Sequence, residues 1–127
     1  MKHRNQSNRQ YPRMVRVNEL LREILGDELE RLAEDRLGLV TITSVQCEAD
    51  LRHARVLYDS LEGPEGDEVV LDAFAEVRHR LQAAIGRQAR MKHTPELTFA
   101  PDPVIRSAER IQEVLRDLQG PGPDDGG

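Results

Sequence analysis

The chain has 127 residues, the length of one domain, and a formal net charge of −5 that by itself argues against a nucleic-acid-binding protein. Its single cysteine excludes an intrachain disulfide, and no apolar run reaches the roughly 18 residues of a membrane-spanning helix. No apolar segment follows the basic N-terminus in the manner of a signal peptide, so we expect a cytoplasmic protein.

The distribution of charge differs from the total. Residues 1–16 carry five basic and no acidic side chains, and residues 76–93 carry five basic side chains against one glutamate. These segments have net charges of +5 and +4 in a chain whose total is −5. Because a polyanion responds to the local electric field, nucleic acid stays among the candidate partners.

The N-terminal part of the chain predicts an arm followed by a helix. Residues 1–12 are polar and basic without an apolar period, so we expect a disordered arm. The spacing of the next apolar residues predicts a helix over residues 13–25. They are Val17, Leu20, Leu21, Ile24 and Leu25.

Two strands follow in the sequence pattern. Residues 39–47 are rich in β-branched side chains, and residues 54–61 alternate in the same way. The alternation changes phase within the first of them, which predicts a bulge near Thr43 and Ser44.

A loop then separates the second strand from a helix. Its Gly63-Pro64-Glu65-Gly66 sequence matches the Gly-x-x-Gly pattern of phosphate-cradling RNA-binding loops. However, Pro64 removes one backbone donor, and carboxylates surround the segment, so we interpret it as an acidic surface turn.

The C-terminal third predicts a long helix, a short strand and a last helix. The long helix covers about residues 68–91, and Pro95 disfavours its continuation. Residues 97–100 alternate as a strand, after which Asp102 can cap a helix that has Pro103 at its first position. The apolar stripe of that helix contains Ile105, Ala108, Ile111, Leu115 and Leu118. Residues 120–127, rich in Gly and Pro, predict a disordered tail.

The predicted order is helix, strand, strand, long helix, strand, helix. It indicates an α+β domain over residues 13–119, with a three-stranded sheet and helices packed on one face. Because the second and third strands are joined through a helix, they are parallel or lie at opposite edges of the sheet.

Three segments and one aspartate occur in an order and spacing that are specific together. They are Thr41-Ile42-Thr43, Asp50-Leu51-Arg52-His53-Ala54-Arg55-Val56, Thr94-Pro95-Glu96-Leu97-Thr98-Phe99, and Asp102. With this pattern, residues 15–118 resemble the ribosome-binding factor A family of bacterial small-subunit assembly factors. The resemblance implies a KH-like fold of the second type, in which an Ala-x-Gly triplet kinks the long helix. The matching triplet is Ala73-Phe74-Ala75, whose last alanine favours continuous helix.

The resemblance also implies a function. A member of this family would bind the free 30S subunit and its 16S rRNA and assist late subunit maturation and rRNA processing, with importance for growth in the cold. We expect such a protein to act as a monomer in the cytoplasm, without catalysis, cofactor, metal ion, membrane or small-molecule substrate.

Basic side chains of the long helix are candidates for RNA contact. Arg80 and Arg87 are seven residues apart and lie within about 20° of each other around the helix, with Arg90 about 60° further round. Arg78 lies beside the other edge of the apolar stripe, and Lys92 extends the set past the helix end. A solvated helix face is the alternative interpretation.

Basic side chains of the N-terminal region form a second set, which could order on RNA and contact phosphates. They are Arg4, Arg9, Arg13 and Arg16. A solubilising terminus is the alternative. With two tyrosines, two phenylalanines and no tryptophan in the chain, recognition by backbone charge and RNA shape is favoured over base stacking.

Two other classes of function have less support in the sequence. A BolA-like adaptor has a similar order of elements and binds proteins instead of RNA, but Cys47 and the four histidines show no metal-ligand spacing that would support it. The chain contains no serine–histidine–carboxylate set, Walker loop or dinucleotide fingerprint, so we predict no enzyme activity.

Overall fold

The computed structural model describes the backbone of residues 2–120 and the side chains of residues 12–120. Its elements are α1 (Lys2–Leu32), β1 (Val40–Cys47), β2 (His53–Ser60), α2 (Asp67–Gln88), β3 (Glu96–Pro101) and α3 (Pro103–Gln119). Short 3₁₀ helices at Asp35–Leu37 and Gly63–Gly66 precede β1 and α2. The predicted order of elements is confirmed. None of the described helices has the length and apolar character needed to cross a membrane.

The sheet is mixed, with strand order β1-β2-β3. β1 pairs with β2 antiparallel, and β2 pairs with β3 parallel. Of the two arrangements predicted for the second and third strands, parallel neighbours or opposite edges, the structure has the parallel one. The register shifts between Ile42 and Ser44, which confirms the predicted bulge. Because the bulge inserts one residue, Thr43, the side chains of Ile42 and Val45 both enter the core.

The core lies between one face of the sheet and the helices α1 and α2. Leu25 in α1, Leu81 in α2 and Val56 in β2 are all fully buried. Phe74 stacks on Phe99 with ring centroids 4.4 Å apart, which joins α2 to β3. The apolar stripes of the two helices are therefore what holds them on the sheet.

α1 is longer than the sequence pattern predicted. It continues past Gly26 to Leu32, since Leu29 lies one turn beyond Leu25 and is also buried. The helix begins at Lys2, whereas the prediction placed its start near residue 13. The predicted disordered arm, residues 1–12, consists almost wholly of residues whose side chains lie outside the described part of the chain. The predicted tail beyond Gly120 also lies outside the described residues.

α2 continues without a break through Ala73-Phe74-Ala75. Ala73 and Phe74 are fully buried, whereas Ala75 is exposed. A kink at this triplet stays a prediction.

α3 differs from the prediction that all helices pack on one face of the sheet, which is wrong for this helix. No residue of α3 is buried, and it makes no extensive contact with any other described element. β3 ends at Pro101, and the buried Asp102 caps the first turn of this helix.

The first turn of α3 is held by two sets of hydrogen bonds. Asp102 Oδ1 accepts from the backbone N–H of Val104 at 2.9 Å, and Asp102 Oδ2 accepts from the Thr43 hydroxyl at 2.6 Å. Arg106 donates to both oxygens of Asp67, at 2.8 and 2.9 Å. The Tyr58 hydroxyl also donates to Asp67, at 2.7 Å. α3 is thus fixed at its start to β1, β2 and α2.

Each edge strand of the sheet receives a side-chain amide from a helix. The backbone N–H of Cys47, at the end of β1, donates to Asn18 Oδ1 of α1 at 2.9 Å. The backbone N–H of Leu97, near the start of β3, donates to Gln82 Oε1 of α2 at 3.2 Å. These contacts show where along the sheet the two helices lie.

Candidate nucleic-acid interface

One end of the sheet gathers basic residues from α1, from the turn between β1 and β2, from β2 and from the segment after α2. β1 ends there and β2 and β3 begin there, because Cys47 pairs with Ala54 and Ala54 with Leu97. The contact of Asn18 with Cys47 brings the α1 residues that precede Asn18 to this end. The contact of Gln82 with Leu97 brings the last turn of α2 there as well.

We call this group of residues the cationic end. It consists of six exposed side chains, Arg13, Arg16, Arg52, Arg55, Arg90 and Lys92. Among the described residues, no carboxylate lies within 4.0 Å of any of the six. Glu48, Asp50 and Glu96 also lie at this end, so the excess of positive charge is moderate.

Arg52 and Arg55 were missed by the sequence reasoning. Arg55 faces solvent in β2, paired with Gln46 of β1 on one side and Thr98 of β3 on the other. Arg52 lies in the turn between β1 and β2, and its carbonyl accepts from the backbone N–H of Glu96. The alternation of β2 already indicated that Arg55 faces away from the core, but only the strand register places it at this end of the sheet.

The structure divides the predicted basic stripe of α2. Arg87 Nη2 lies 3.6 Å from Glu28 Oε1 of α1, and the Glu28 side chain is only 12% exposed. Arg80 lines an open cleft of about 300 Å³ together with Glu34 and Asp35. Arg90 follows the end of α2 and has no such neighbour among the described side chains. Of the three arginines, Arg90 is the one that has neither an ion pair nor a place in a carboxylate-lined cleft among the described residues.

Glu76 was expected to be the acidic residue that offsets the basic charge of α2, but it pairs elsewhere. Arg36 donates to Glu76 at 2.8 Å and to Glu34 at 2.7 Å. These hydrogen bonds from Arg36 lower the pKa of Glu34 to about 2 and also lower the pKa of Glu76. The carboxylates beside Arg80 and Arg87 come instead from α1 and the segment after it.

The remaining predicted contacts are placed as follows. Arg78 is exposed on the flank of α2 opposite Arg80, with no carboxylate within 4.0 Å among the described residues. Arg13 and Arg16 are exposed on α1. The side chains of Arg4 and Arg9 lie outside the described residues.

The opposite end of the sheet is acidic. Gly63–Gly66 forms a 3₁₀ turn there, with Gly63 at a φ of 68° and Gly66 buried. Its position between β2 and α2 agrees with the interpretation as a surface turn. Exposed carboxylates surround it, from Glu62, Glu65, Glu68 and Asp72. The molecule is thus electrostatically polar along the strand direction.

Neither metal binding nor thiol chemistry is indicated by the described residues. They contain no group of three or more histidine, cysteine, aspartate and glutamate side chains arranged to hold a metal ion. Burial raises the pKa of the half-buried Cys47 thiol, with smaller contributions from Asp50 and Glu48. A raised pKa leaves the thiol protonated and weakly nucleophilic.

These features define a class: a small α+β domain with the KH-like fold of the second type and a cationic end. The sequence pattern of the family described as ribosome-binding factor A matches residues 13–115. The chain belongs to the ribosome-binding factor A family.

Individual relatives agree with this membership. Ribosome-binding factor A of Rubrobacter xylanophilus is 40% identical over 116 residues, which are 91% of this chain and 94% of the relative. The crystal structure of ribosome-binding factor A from Thermus thermophilus is 30% identical, with a TM-score of 0.63 over 69% of this chain and 94% of that one.

A further structure concerns an assembly. A homology model of the Thermus thermophilus ribosome-binding factor A, fitted into a cryo-EM map of its complex with the 30S subunit, is 31% identical to this chain. Its TM-score is 0.55 over 65% of this chain and 88% of that one. Membership of this family decides against the BolA-like adaptor.

Proposed function

We propose that the protein binds the 30S ribosomal subunit and its 16S rRNA in the cytoplasm and assists late maturation and rRNA processing without catalysing a reaction. The observation that carries this proposal is membership of a family whose Thermus thermophilus member is fitted into a 30S complex. The cationic end supplies the physical means of contact.

Charge orients the molecule on its partner. An rRNA surface is a dense array of phosphates, which attracts the six cations at one end and repels the carboxylates at the other. The approach with the cationic end foremost is therefore favoured before any specific contact forms. Because these side chains are exposed and free of ion pairs with described residues, phosphate contact breaks no salt bridge within that part of the chain.

Base stacking contributes little on the described surface. Tyr58 and Phe74 are fully buried, and Phe99 is stacked on Phe74 in the core. The side chain of Tyr11 lies outside the described residues. Recognition through phosphate charge and RNA shape is consistent with this distribution.

A protein that only binds can still change the course of assembly. If rRNA exchanges between two conformations, a factor that binds one more tightly shifts the population by the ratio of the two affinities. The rigid core gives the cationic end a fixed arrangement, and a fixed arrangement can fit one rRNA conformation better than another.

The experiment compares matched charge removals in sedimentation with purified 30S subunits at several salt concentrations. Replacing Arg90 and Lys92 by Ala is expected to weaken binding and reduce the slope of log affinity against log salt by about 0.7–0.9 for each phosphate that is no longer neutralised. Replacing Arg31 and Arg110 by Ala removes the same charge from exposed positions away from the cationic end, and should leave the slope unchanged.

A third variant separates the cationic end from the stripe predicted on α2. Replacing Arg80 and Arg87 by Ala should weaken 30S binding less than the Arg90 and Lys92 pair, because both lie beside carboxylates. A larger loss with Arg80 and Arg87 would identify the α2 stripe as the interface. Full binding by all three variants would refute an electrostatic interface at either place.

A further inference from the structure

An open cleft lies between α1 and the first half of β1, and we call it the β1 cleft. Its volume is about 930 Å³, near the upper end of the roughly 300–1,000 Å³ of protein ligand sites. Residues of α1 and of the turn after it line one side, and Val40, Thr41 and Ile42 line the other. Val40 pairs with Ser60, so the β1 cleft lies at the end of the sheet away from the cationic end.

β1 has unpaired backbone groups along the β1 cleft. The backbone N–H of Leu61 donates to the carbonyl of Leu39 at 3.1 Å, and Thr41, two residues further on, therefore also faces β2. Residues that face the neighbouring strand alternate along an antiparallel pair, so the N–H and C=O groups of Val40 and Ile42 point away from β2. No described residue forms a hydrogen bond with these outward groups. They are available to the backbone of another chain.

One flank of α1 covers the same strand edge further along but leaves it open at the β1 cleft. Asn18 reaches the outward N–H of Cys47 at 2.9 Å. Arg22, Gly26 and Glu30 follow Asn18 at intervals of four residues, so they lie on the same flank of the helix. A Cβ atom added at Gly26 would meet no atom of a neighbouring element within 4 Å, so packing within the described chain does not require a glycine there. This gap in the flank leaves room for an incoming chain beside β1.

The β1 cleft attracts cations. Its charged lining consists of one arginine and five carboxylates, Arg22, Glu23, Asp27, Glu30, Glu34 and Asp35. The arginine pairs with Glu19, and Glu34 pairs with Arg36. The other four carboxylates are exposed, and no basic group of a described residue lies within 4.0 Å of them. The local field therefore repels the phosphates of a nucleic acid and favours a basic ligand.

We propose that the β1 cleft binds an extended segment of another protein, rich in lysine or arginine, which adds as a short strand to the outer edge of β1. The backbone groups of Val40 and Ile42 supply the hydrogen bonds of strand addition, and the carboxylates select basic side chains. Alternate side chains of an extended chain are about 6.6 Å apart, close to the rise of about 6 Å between helix residues four apart, such as Glu23 and Asp27. Alternating basic residues thus match the spacing of the carboxylates on α1.

The added strand is short, and its binding is weak. Asn18 already occupies the outward donor of Cys47, and the bulge at Thr43 interrupts the regular edge, so only the first half of β1 is open. Because the carboxylates of the β1 cleft are exposed to solvent, we expect affinity to fall with rising salt. The proposal does not depend on binding to the 30S subunit, which uses the opposite end of the sheet.

Peptide titration of the full chain, followed by amide NMR, tests strand addition. The probe is the acetylated and amidated peptide KTKTKTK, and KPKPKPK is a control of equal charge whose prolines cannot donate to a strand ladder. KTKTKTK should shift the amide signals of Val40 and Ile42, and KPKPKPK should not. Absence of these shifts, or equal shifts with both peptides, overturns the proposal. Larger shifts with an oligouridylate than with KTKTKTK also overturn it, because they assign the β1 cleft to RNA.

Variants of the protein locate the binding. Asp27→Asn with Glu30→Gln should lower the affinity for KTKTKTK about twofold to thirtyfold, the range for the loss of two exposed ion pairs. Glu109→Gln with Glu113→Gln removes the same charge from exposed positions on α3 and should leave the affinity unchanged. Gly26→Leu should lower it about tenfold or more by filling the β1 cleft, without lowering the Tm, since leucine favours helix. Equal losses from the two charge pairs, or full binding by Gly26→Leu, would overturn the proposal.

Discussion

α1 and α3 both carry a regular apolar stripe, but only the stripe of α1 is buried. Leu21 and Leu25 of α1 are fully buried, whereas Leu115 and Leu118 of α3 are 52% and 78% exposed. The spacing of apolar residues indicates which side chains share a face of a helix. It carries no information on what covers that face, which depends on where the chain goes before and after the helix.

The connections explain the difference between the two helices. α1 is followed by a short segment that leads into β1, so the chain turns back and α1 lies on the strand that follows it. α3 is the last described element, and its start is fixed at the far end of β3 by Asp102 and Arg106. No later segment of the described chain returns to cover it.

Leucine truncation gives the largest expected difference between the two helices. Leu25→Ala should lower the free energy of unfolding by about 2–5 kcal/mol, because it leaves a cavity in the core. Leu115→Ala should change it by less than about 0.5 kcal/mol, measured by urea denaturation, because this side chain is half exposed. Equal losses in the two variants would show that α3 packs on the body in solution.

Arg106→Ala tests what holds α3 in place. We expect the free energy of unfolding to fall by about 1–2 kcal/mol, because two partly buried hydrogen bonds to the Asp67 carboxylate are removed. Amide hydrogen exchange within α3 should become faster, while that of β2 and α2 changes little. Arg110→Ala is the control on the same helix and should affect neither measurement. If the amides of α3 exchange as slowly in Arg106→Ala as in the unchanged protein, the hydrogen bonds from Arg106 to Asp67 do not hold α3 in place.

The pH dependence of α3 gives the smallest expected effect. Hydrogen bonds from the Thr43 hydroxyl and from the N–H groups of Ile105 and Val104 hold the pKa of Asp102 below its ordinary value of 3.8, against the opposing effect of burial. Because the folded pKa is depressed, the stabilisation is present above about pH 4 and is lost as the pH falls through the lowered pKa. Amide protection in α3 should therefore decrease below about pH 4.

Asp102→Asn separates the cap from its charge. The asparagine oxygen still accepts from the first turn of the helix but does not titrate. The decrease of amide protection in α3 at acid pH should then be shallower than in the unchanged protein. The decrease that is left comes from Asp67, whose pKa is also lowered by the hydrogen bonds from Arg106. An unchanged pH profile in Asp102→Asn would show that the acid sensitivity of α3 originates elsewhere.

Features of the fold that depend on neighbouring residues could be predicted from the sequence. The phase change in β1 located the bulge at Thr43, and the Asp102-Pro103 pair located the start of α3. Both follow from local rules, the two-residue period of a strand and the capping preference of aspartate. The order of elements followed from the same kind of evidence.

The composition of the candidate interface depends on contacts between distant residues. Arg36 and Glu76 are 40 residues apart in the chain, and Arg87 meets Glu28 across an even longer separation. Helical spacing correctly placed Arg80 and Arg87 on one flank of α2, but it could not show that carboxylates of α1 and the following turn lie beside that flank. Arg55 became a candidate only through the register of three strands.

The two helical amides at the sheet edges have a consequence for solubility. A three-stranded sheet has two open edges, and an unpaired edge invites strands of other chains to add to it. Asn18 and Gln82 occupy outward backbone donors at Cys47 and Leu97, so an incoming strand would first have to displace a hydrogen bond already made. Each edge strand therefore offers one fewer free backbone donor to a strand of another chain, which disfavours addition of such a strand.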